Sequence, residues 1–239
     1  MKEIVRCYNC GKELKPGEVT KEHIPAKTLF EGYDEKYKKN RITVPACCEC
    51  NNNYSLTDEE FRNMIGIGAK RQENNEIAHK AVRSILRKDP QHKQLVFDSL
   101  RNVLGVKICQ GPIADFHKKN FKGLFYHQYG FPLPGNYELG VNMDEEDFSQ
   151  FTLGIIGYLQ ECFEWKFSGH RDVFSYCIQP LRLDELKAKQ TKKKDLELDK
   201  GENIIVGILV YNQEHAAMVF AIRKEYLEDI KFRNTKCEP

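Results

Sequence analysis

Hydrophobic and polar positions follow different periods along the chain, and the first change of period falls near residue 71. Before it, residues 1–68 are poor in large aliphatic side chains and rich in turn formers, so this segment has little apolar material to fold around. Its clearest signal is a helix start, with Thr57 as N-cap, Glu60 closing a capping box, and Leu56 with Phe61 as a hydrophobic staple. GIGAK at 66–70 reads as a break. From Arg71 the pattern turns helical: Ile77, Ala81 and Ile85 repeat every four residues, with Ala78, Val82 and Leu86 beside them, and Asp89-Pro90 ends the stripe. A second helix is predicted to about Leu104, GVKICQG as a short strand, and a helix opened by Pro112 through HKKNFKGLFYHQ, followed by a GFPLPGN loop.

The longest apolar stripe predicts a helix over 144–165, capped by Asp144, with Phe148, Phe151, Ile155, Leu159 and Cys162 on its buried face. DVFSYCI reads as a strand and LKAKQTKKKDLELDKGEN as a charged loop that includes Lys192, Lys193 and Lys194. NIIVGILV and AAMVFAI read as a β-hairpin around YNQEHA. The fold class expected is α+β: a small N-terminal module over 1–68, then a mainly helical region over 69–239 ending in a small antiparallel sheet.

Composition narrows the setting. Apolar residues are 41% and charged residues 30%, ordinary for a globular protein, and no apolar run approaches the roughly 20 residues that span a bilayer. The N-terminal MKEIVRCYNC lacks the apolar core of a secretory signal, so a cytoplasmic location without membrane contact is expected. Net charge is only +2, yet residues 71–130 hold 11 Lys and Arg against 5 Asp and Glu, an asymmetry compatible with a phosphate-facing surface.

Nine cysteines suggest disulfides at first, but four fall in two C-x-x-C pairs, which in a reducing compartment read as metal binding. Cys7 with Cys10, and Cys47 with Cys50, supply the four thiolates of a tetrahedral zinc site, across 36 intervening residues. Cys48 offers an alternative to Cys47, but the C-x-x-C spacing matches the first pair. Such a site supplies about 10 kcal/mol or more of folding free energy in small modules, more than this sparse core offers. Cys109, Cys162 and Cys177 read as buried core residues.

Between the pairs lies E-H-I-P at Glu22–Pro25, and after them V-P-A-C-x-x-C-N-N and a helix. This arrangement resembles the HNH endonucleases, whose ββα-metal core is here stapled by four cysteines; the resemblance covers about residues 5–65. It implies that His23 is the general base and that Glu22 is a ligand of a catalytic Mg2+ or Mn2+. Asn51 or Asn52 would complete the protein ligands, and Asn40 would orient the histidine. A base near neutral pH and a cation on the phosphate oxygens are what phosphodiester hydrolysis needs. Two positions depart from the family pattern: Glu stands where Asp is more usual, and Ile42 stands where the orienting Asn is expected.

The expected function is therefore metal-dependent hydrolysis of DNA, rather than RNA, leaving 5′-phosphate and 3′-hydroxyl ends, in a setting such as restriction or phage defence. One site cuts one strand, so a double-strand break implies a homodimer or a partner protein through 69–239. Lys118, Lys119 and Lys122, interleaved with aromatics, are expected to meet the DNA backbone. The alternative is a non-catalytic zinc module that binds nucleic acid or a partner protein.

Overall fold

The computed structural model describes residues 4–68, 75–88, 95–97, 99–100, 103–106, 110–143, 164–181, 204–213 and 215–227. The chain opens with a cysteine turn in which the Gly11 N–H donates to the Cys7 carbonyl and Cys7 N–H to Lys12. A hairpin follows, β1 (Thr20–Ile24) against β2 (Ile42–Ala46), antiparallel with Glu22 opposite Val44 and His23 opposite Thr43. Two short 3-10 turns, Lys27–Phe30 and Glu35–Lys38, fill the connection and bury Leu29 and Phe30. Alternation along β1 sends Glu22 and Ile24 inward and leaves Lys21 and His23 outward.

Helix α1 (Cys48–Asn53) starts inside the second cysteine pair, and α2 (Ser55–Gly68) follows after Tyr54 alone. The expected cap at Thr57 is thus corrected. Thr57 lies inside α2, and Leu56 is 64% exposed while Phe61 is fully buried, so they form no staple. The first helix after the cysteines is instead α1, with Cys47 as its N-cap, its sulfur accepting the Cys50 N–H at 3.4 Å. Of the break expected at 66–70, residues 66–68 are still helical, α2 ends at Gly68, and 69–70 lie outside the described residues. Helix α3 (Asn75–Lys88) carries the predicted stripe, with Ala81 and Ile85 buried.

The second helix expected before Leu104 is replaced by a small antiparallel pair, β3 (Leu95–Phe97) and β4 (Val103–Val106), with Leu95 opposite Val106. Its β-branched and aromatic residues favour the pleated surface over a helix. Helix α4 (Gln110–Tyr129) agrees with expectation. The sequence reading missed β5 (Tyr137–Asn142). It joins β6 (Lys166–Phe167), β7 (Phe174–Leu181), β8 (Ile204–Tyr211) and β9 (His215–Arg223) in a five-stranded antiparallel sheet of order β5-β9-β8-β7-β6. The predicted late strand and hairpin are β7, β8 and β9. Among the described residues after α2, helices and strands are mixed, with this sheet and the β3–β4 pair beside α3 and α4. The helix expected over 144–165 lies almost wholly outside the described residues, as does the charged loop with Lys192–Lys194.

Helix α4 sits between two layers. It touches β5, β8 and β9 on one side and α2, β1 and β2 on the other. Phe116, Phe121, Leu124 and Phe125 are fully buried between them, in a core that runs from Cys7 to Ala221 and so spans both sides of residue 68. Each such side chain contributes about 1.5–3 kcal/mol of burial. Ser168, from the loop between β6 and β7, ties the hairpin end to the sheet: its hydroxyl accepts the Ile42 N–H at 2.9 Å and donates to the Ile24 carbonyl at 2.5 Å. No helix among the described residues is long and apolar enough to cross a membrane.

At Gly123, α4 packs directly on the hairpin: a Cβ there would overlap the Ile24 side chain. An alanine there gains about 1 kcal/mol of helix propensity but overpacks a filled site at a cost of about 1–3 kcal/mol. Gly123→Ala is therefore expected to lower the denaturation midpoint, and adding Ile24→Ala, which removes both overlapping atoms, to cost less than the two single losses summed. A midpoint that rises on Gly123→Ala alone contradicts this packing.

Candidate metal centre and active site

The two cysteine turns meet at one point. The sulfurs of Cys7, Cys10, Cys47 and Cys50 all lie within 4.8 Å of one another, and Cys10 and Cys47 are 3.9 Å apart. Tetrahedral zinc with bonds of about 2.3 Å places its sulfurs about 3.8 Å apart, so the spacing fits a zinc-type ion. The Tyr8 N–H donates to the Pro45 carbonyl at 2.9 Å, joining the first turn to β2 beside the cluster. Burial disfavours a charged Cys7, but backbone hydrogen bonds from Cys10, Cys47 and Asn9 outweigh it and bring the thiol to about 7. Cys48 is exposed and outside the group.

Lys122 belongs to this centre. Its ammonium donates to Asn9 Oδ1 at 3.0 Å, while Asn9 Nδ2 donates to Cys50 Sγ at 3.4 Å. Burial pulls the Lys122 pKa down, and the charges of Cys50, Cys10 and Cys7 oppose that. A cation held beside four thiolates offsets the net charge of a filled zinc site, which is a structural duty; Lys122 is not the free DNA contact expected of it.

Lys119 departs further from expectation. Its ammonium is fully buried, 2.8 Å from Glu22 Oε1 and 2.7 Å from both oxygens of Asp58, and 5.4 Å from the Tyr54 ring centroid. The Glu22 and Asp58 side chains are themselves only 7% and 13% exposed. Burial pushes both carboxyls up from their ordinary range, and Lys119 pulls them back. Lys119 thus reaches no phosphate. Lys118 keeps a partly exposed ammonium, 3.8 Å from Asp115.

This arrangement decides how a catalytic metal fits. Two carboxylates are the right donors for Mg2+ or Mn2+, but here they already hold an ammonium, which a dication would have to expel. Asn51 is half-buried and Asn52 exposed, and neither makes a side-chain hydrogen bond among the described residues; both lie in α1, where the Asn51 N–H bonds the Cys47 carbonyl. The Tyr8 hydroxyl is buried without a hydrogen-bond partner among the described residues, but burial and the Glu22 charge push its ionisation up, so it adds no anionic ligand. As arranged, these residues do not fit a second divalent cation.

His23 lies on the other face of β1, half-buried. Burial lowers its pKa below 6.5, and Arg41, Lys27 and Lys21 lower it further. Burial and these three positive charges all favour the neutral imidazole. Asn40 does not orient it: the side chain is exposed, and its backbone is left-handed at φ 57°, a conformation asparagine tolerates better than most residues. The Gly169 N–H donates to its carbonyl.

Sequence reasoning missed Asp58, Ser168 and a pair in which the buried His117 and the half-buried His215 approach at 3.1 Å between ring nitrogens. Burial, then His215, pushes the His117 pKa well down. Asp58 had a weak signal, an acid in the first turn of a helix; the others meet partners roughly a hundred residues or more away. Compared with family models, curated proteins and solved structures, the chain matches none.

Removing one partner of a buried ion pair leaves uncompensated charge and costs about 3–5 kcal/mol, whereas an exposed lysine costs about 0.5 kcal/mol or less. Urea unfolding should therefore show a loss of that larger size for Lys119→Met and almost none for Lys118→Met. Equal small losses contradict the buried ionic contact.

Proposed function

We propose that the chain is a zinc-stapled HNH-type nuclease in which His23 takes the proton of a water molecule attacking a DNA phosphodiester. Zinc on Cys7, Cys10, Cys47 and Cys50 holds the frame and takes no part in the reaction. The observation that carries the reading is the setting of His23. Its imidazole lies half-buried on the outward face of β1 beside Lys21, and burial together with the charges of Arg41, Lys27 and Lys21 favours its neutral form. A neutral imidazole accepts a proton near pH 7, and fixed cations favour the charge that builds on the phosphoryl oxygens.

In this reading the water oxygen bonds to phosphorus as its proton passes to a His23 ring nitrogen. The bond to the 3′ oxygen breaks, and that oxygen takes a proton from solvent, leaving 3′-hydroxyl and 5′-phosphate ends. The divalent metal expected by resemblance would stabilise the departing oxygen. With Glu22 bonded to Lys119, no step is assigned to it. The same contact favours a second reading, a zinc module that binds DNA without cutting it.

A plasmid-nicking assay on the zinc-loaded protein, with and without added Mg2+ or Mn2+, separates the two. The wild type should nick, and His23→Ala should lower the rate about 100- to 10,000-fold, the range typical of a positioned base. Catalysis needs the unprotonated imidazole, so activity is full above its pKa and falls as pH drops through it. The acid limb should accordingly have its midpoint below 6.5, the ordinary histidine value. Equal nicking by both proteins removes His23 from the mechanism; DNA binding with no nicking at all selects the second reading.

A further inference from the structure

Part of the basic excess of residues 71–130, namely Lys80, Arg83, Arg87 and Lys88, gathers at one place. A cavity of about 250 Å³ lies between α2 and α3, lined by Glu59, Arg62, Lys80, Arg83, Ser84 and Arg87. Lys80, Arg83 and Arg87 stand at helical spacing i, i+3, i+7, so α3 turns one row of cations into the cavity rather than spreading them around its surface. The buried Arg62 faces them from α2. Two carboxylates offset this charge. Glu31 meets Lys80 at 2.7 Å and Arg62 at 3.4 Å, while Glu59 meets Lys88 at 2.5 Å and Arg87 at 3.6 Å. Among the described residues, the cavity lining and the groups paired with it hold five cations and two carboxylates, a surplus of three positive charges.

The floor is polar and built. Asn63 Oδ1 accepts from Arg62 Nη2 at 2.7 Å, Asn63 Nδ2 donates to Ser84 Oγ at 3.3 Å, and the Ser84 hydroxyl donates to Glu59. These bonds fix the Arg62 fork by packing rather than by solvent. Like charges around a water-accessible cavity repel one another, and a bound anion relieves that repulsion. The volume, a little below the roughly 300–1,000 Å³ of sites for drug-sized ligands, leaves room for a phosphate group together with its adjoining sugar. Planar guanidinium forks are the side chains best shaped to hold one.

We propose that the α2–α3 cavity is a phosphate seat that holds the backbone of a DNA strand, at a place separate from His23. It rests on the nucleic-acid substrate class of the reading above. Arg62 follows Asp58 by four residues on α2, about 6 Å along the helix, so the seat lies near the carboxylates that anchor the hairpin. A strand held there is positioned relative to the module by two rigid helices.

The test is fluorescence-anisotropy titration of a labelled DNA duplex with the full zinc-loaded chain carrying His23→Ala, without added divalent metal, across a range of salt. Binding is then read with cutting removed, so failure of the nuclease reading does not move it. Arg83 and Arg87 are exposed and can be changed without opening the core. The double change Arg83→Gln and Arg87→Gln should weaken binding at least ten-fold at low salt and flatten the slope of log affinity against log salt by about 1.8, two contacts at about 0.9 each. A control pair of equal charge, Lys36→Gln and Lys39→Gln, should do neither. Equal losses from both pairs, or no loss from the arginine pair, overturn the proposal. So does a cavity saturated by inorganic phosphate or a mononucleotide with which the duplex does not compete, since the phosphate would then be a free one.

Discussion

The contact on which the rest depends is the ammonium of Lys119, enclosed by Glu22 and Asp58. Three charged groups taken out of water form an expensive arrangement, tolerable only because the ammonium meets three carboxylate oxygens at hydrogen-bond distance. It joins three elements distant in sequence: β1, the start of α2 and the middle of α4. Gly123 lets α4 approach the hairpin, and Ser168 ties the hairpin end to the sheet. A zinc ion on the cysteines would contribute about 10–16 kcal/mol of binding free energy to folding, far more than the few kcal/mol exposed when the ionic contact breaks. Zinc can therefore hold the module together, while Lys119 sets how it sits on the remainder.

That division separates structure from chemistry across a single strand. Because side chains alternate along β1, adjacent Glu22 and His23 point to opposite faces. The inward carboxylate is engaged by α4. Burial and the charges of Arg41, Lys27 and Lys21 favour the neutral form of the outward imidazole. The reading we favour places the reaction on the outward face and the anchor on the inward one. The α2–α3 cavity adds a second cationic surface, carried by the same helix that supplies Asp58.

What the sequence made legible was local. The two C-x-x-C turns, the stripe of Ala81 and Ile85, and the late hairpin all follow from spacing within a few residues, and the structure contains them. The start of α1 was obscured because the thiol of Cys47 caps it, whereas Thr57 and Glu60 imitate a capping box inside a continuing helix. β5 was hidden because its partner, β9, lies some eighty residues away, and YELGVN carries little apolar pattern alone. Lys119 shows the limit most plainly. Between Lys118 and Asn120 it reads as one of a basic run, and only the approach of Glu22 and Asp58, 97 and 61 residues earlier in sequence, makes it a core residue. The asparagines after Cys50 do lie in the first turns of a helix, but that helix delivers no side-chain bond from them.

The central claim, that the Glu22 and Asp58 carboxylates hold an ammonium and the cysteines a zinc ion, is tested most directly by metal content. Protein equilibrated with Zn2+ and then with excess Mn2+, desalted and analysed by mass spectrometry, should carry one zinc per chain and no manganese. One manganese per chain, lost on Glu22→Gln, would show that a dication displaces Lys119 and would contradict the account.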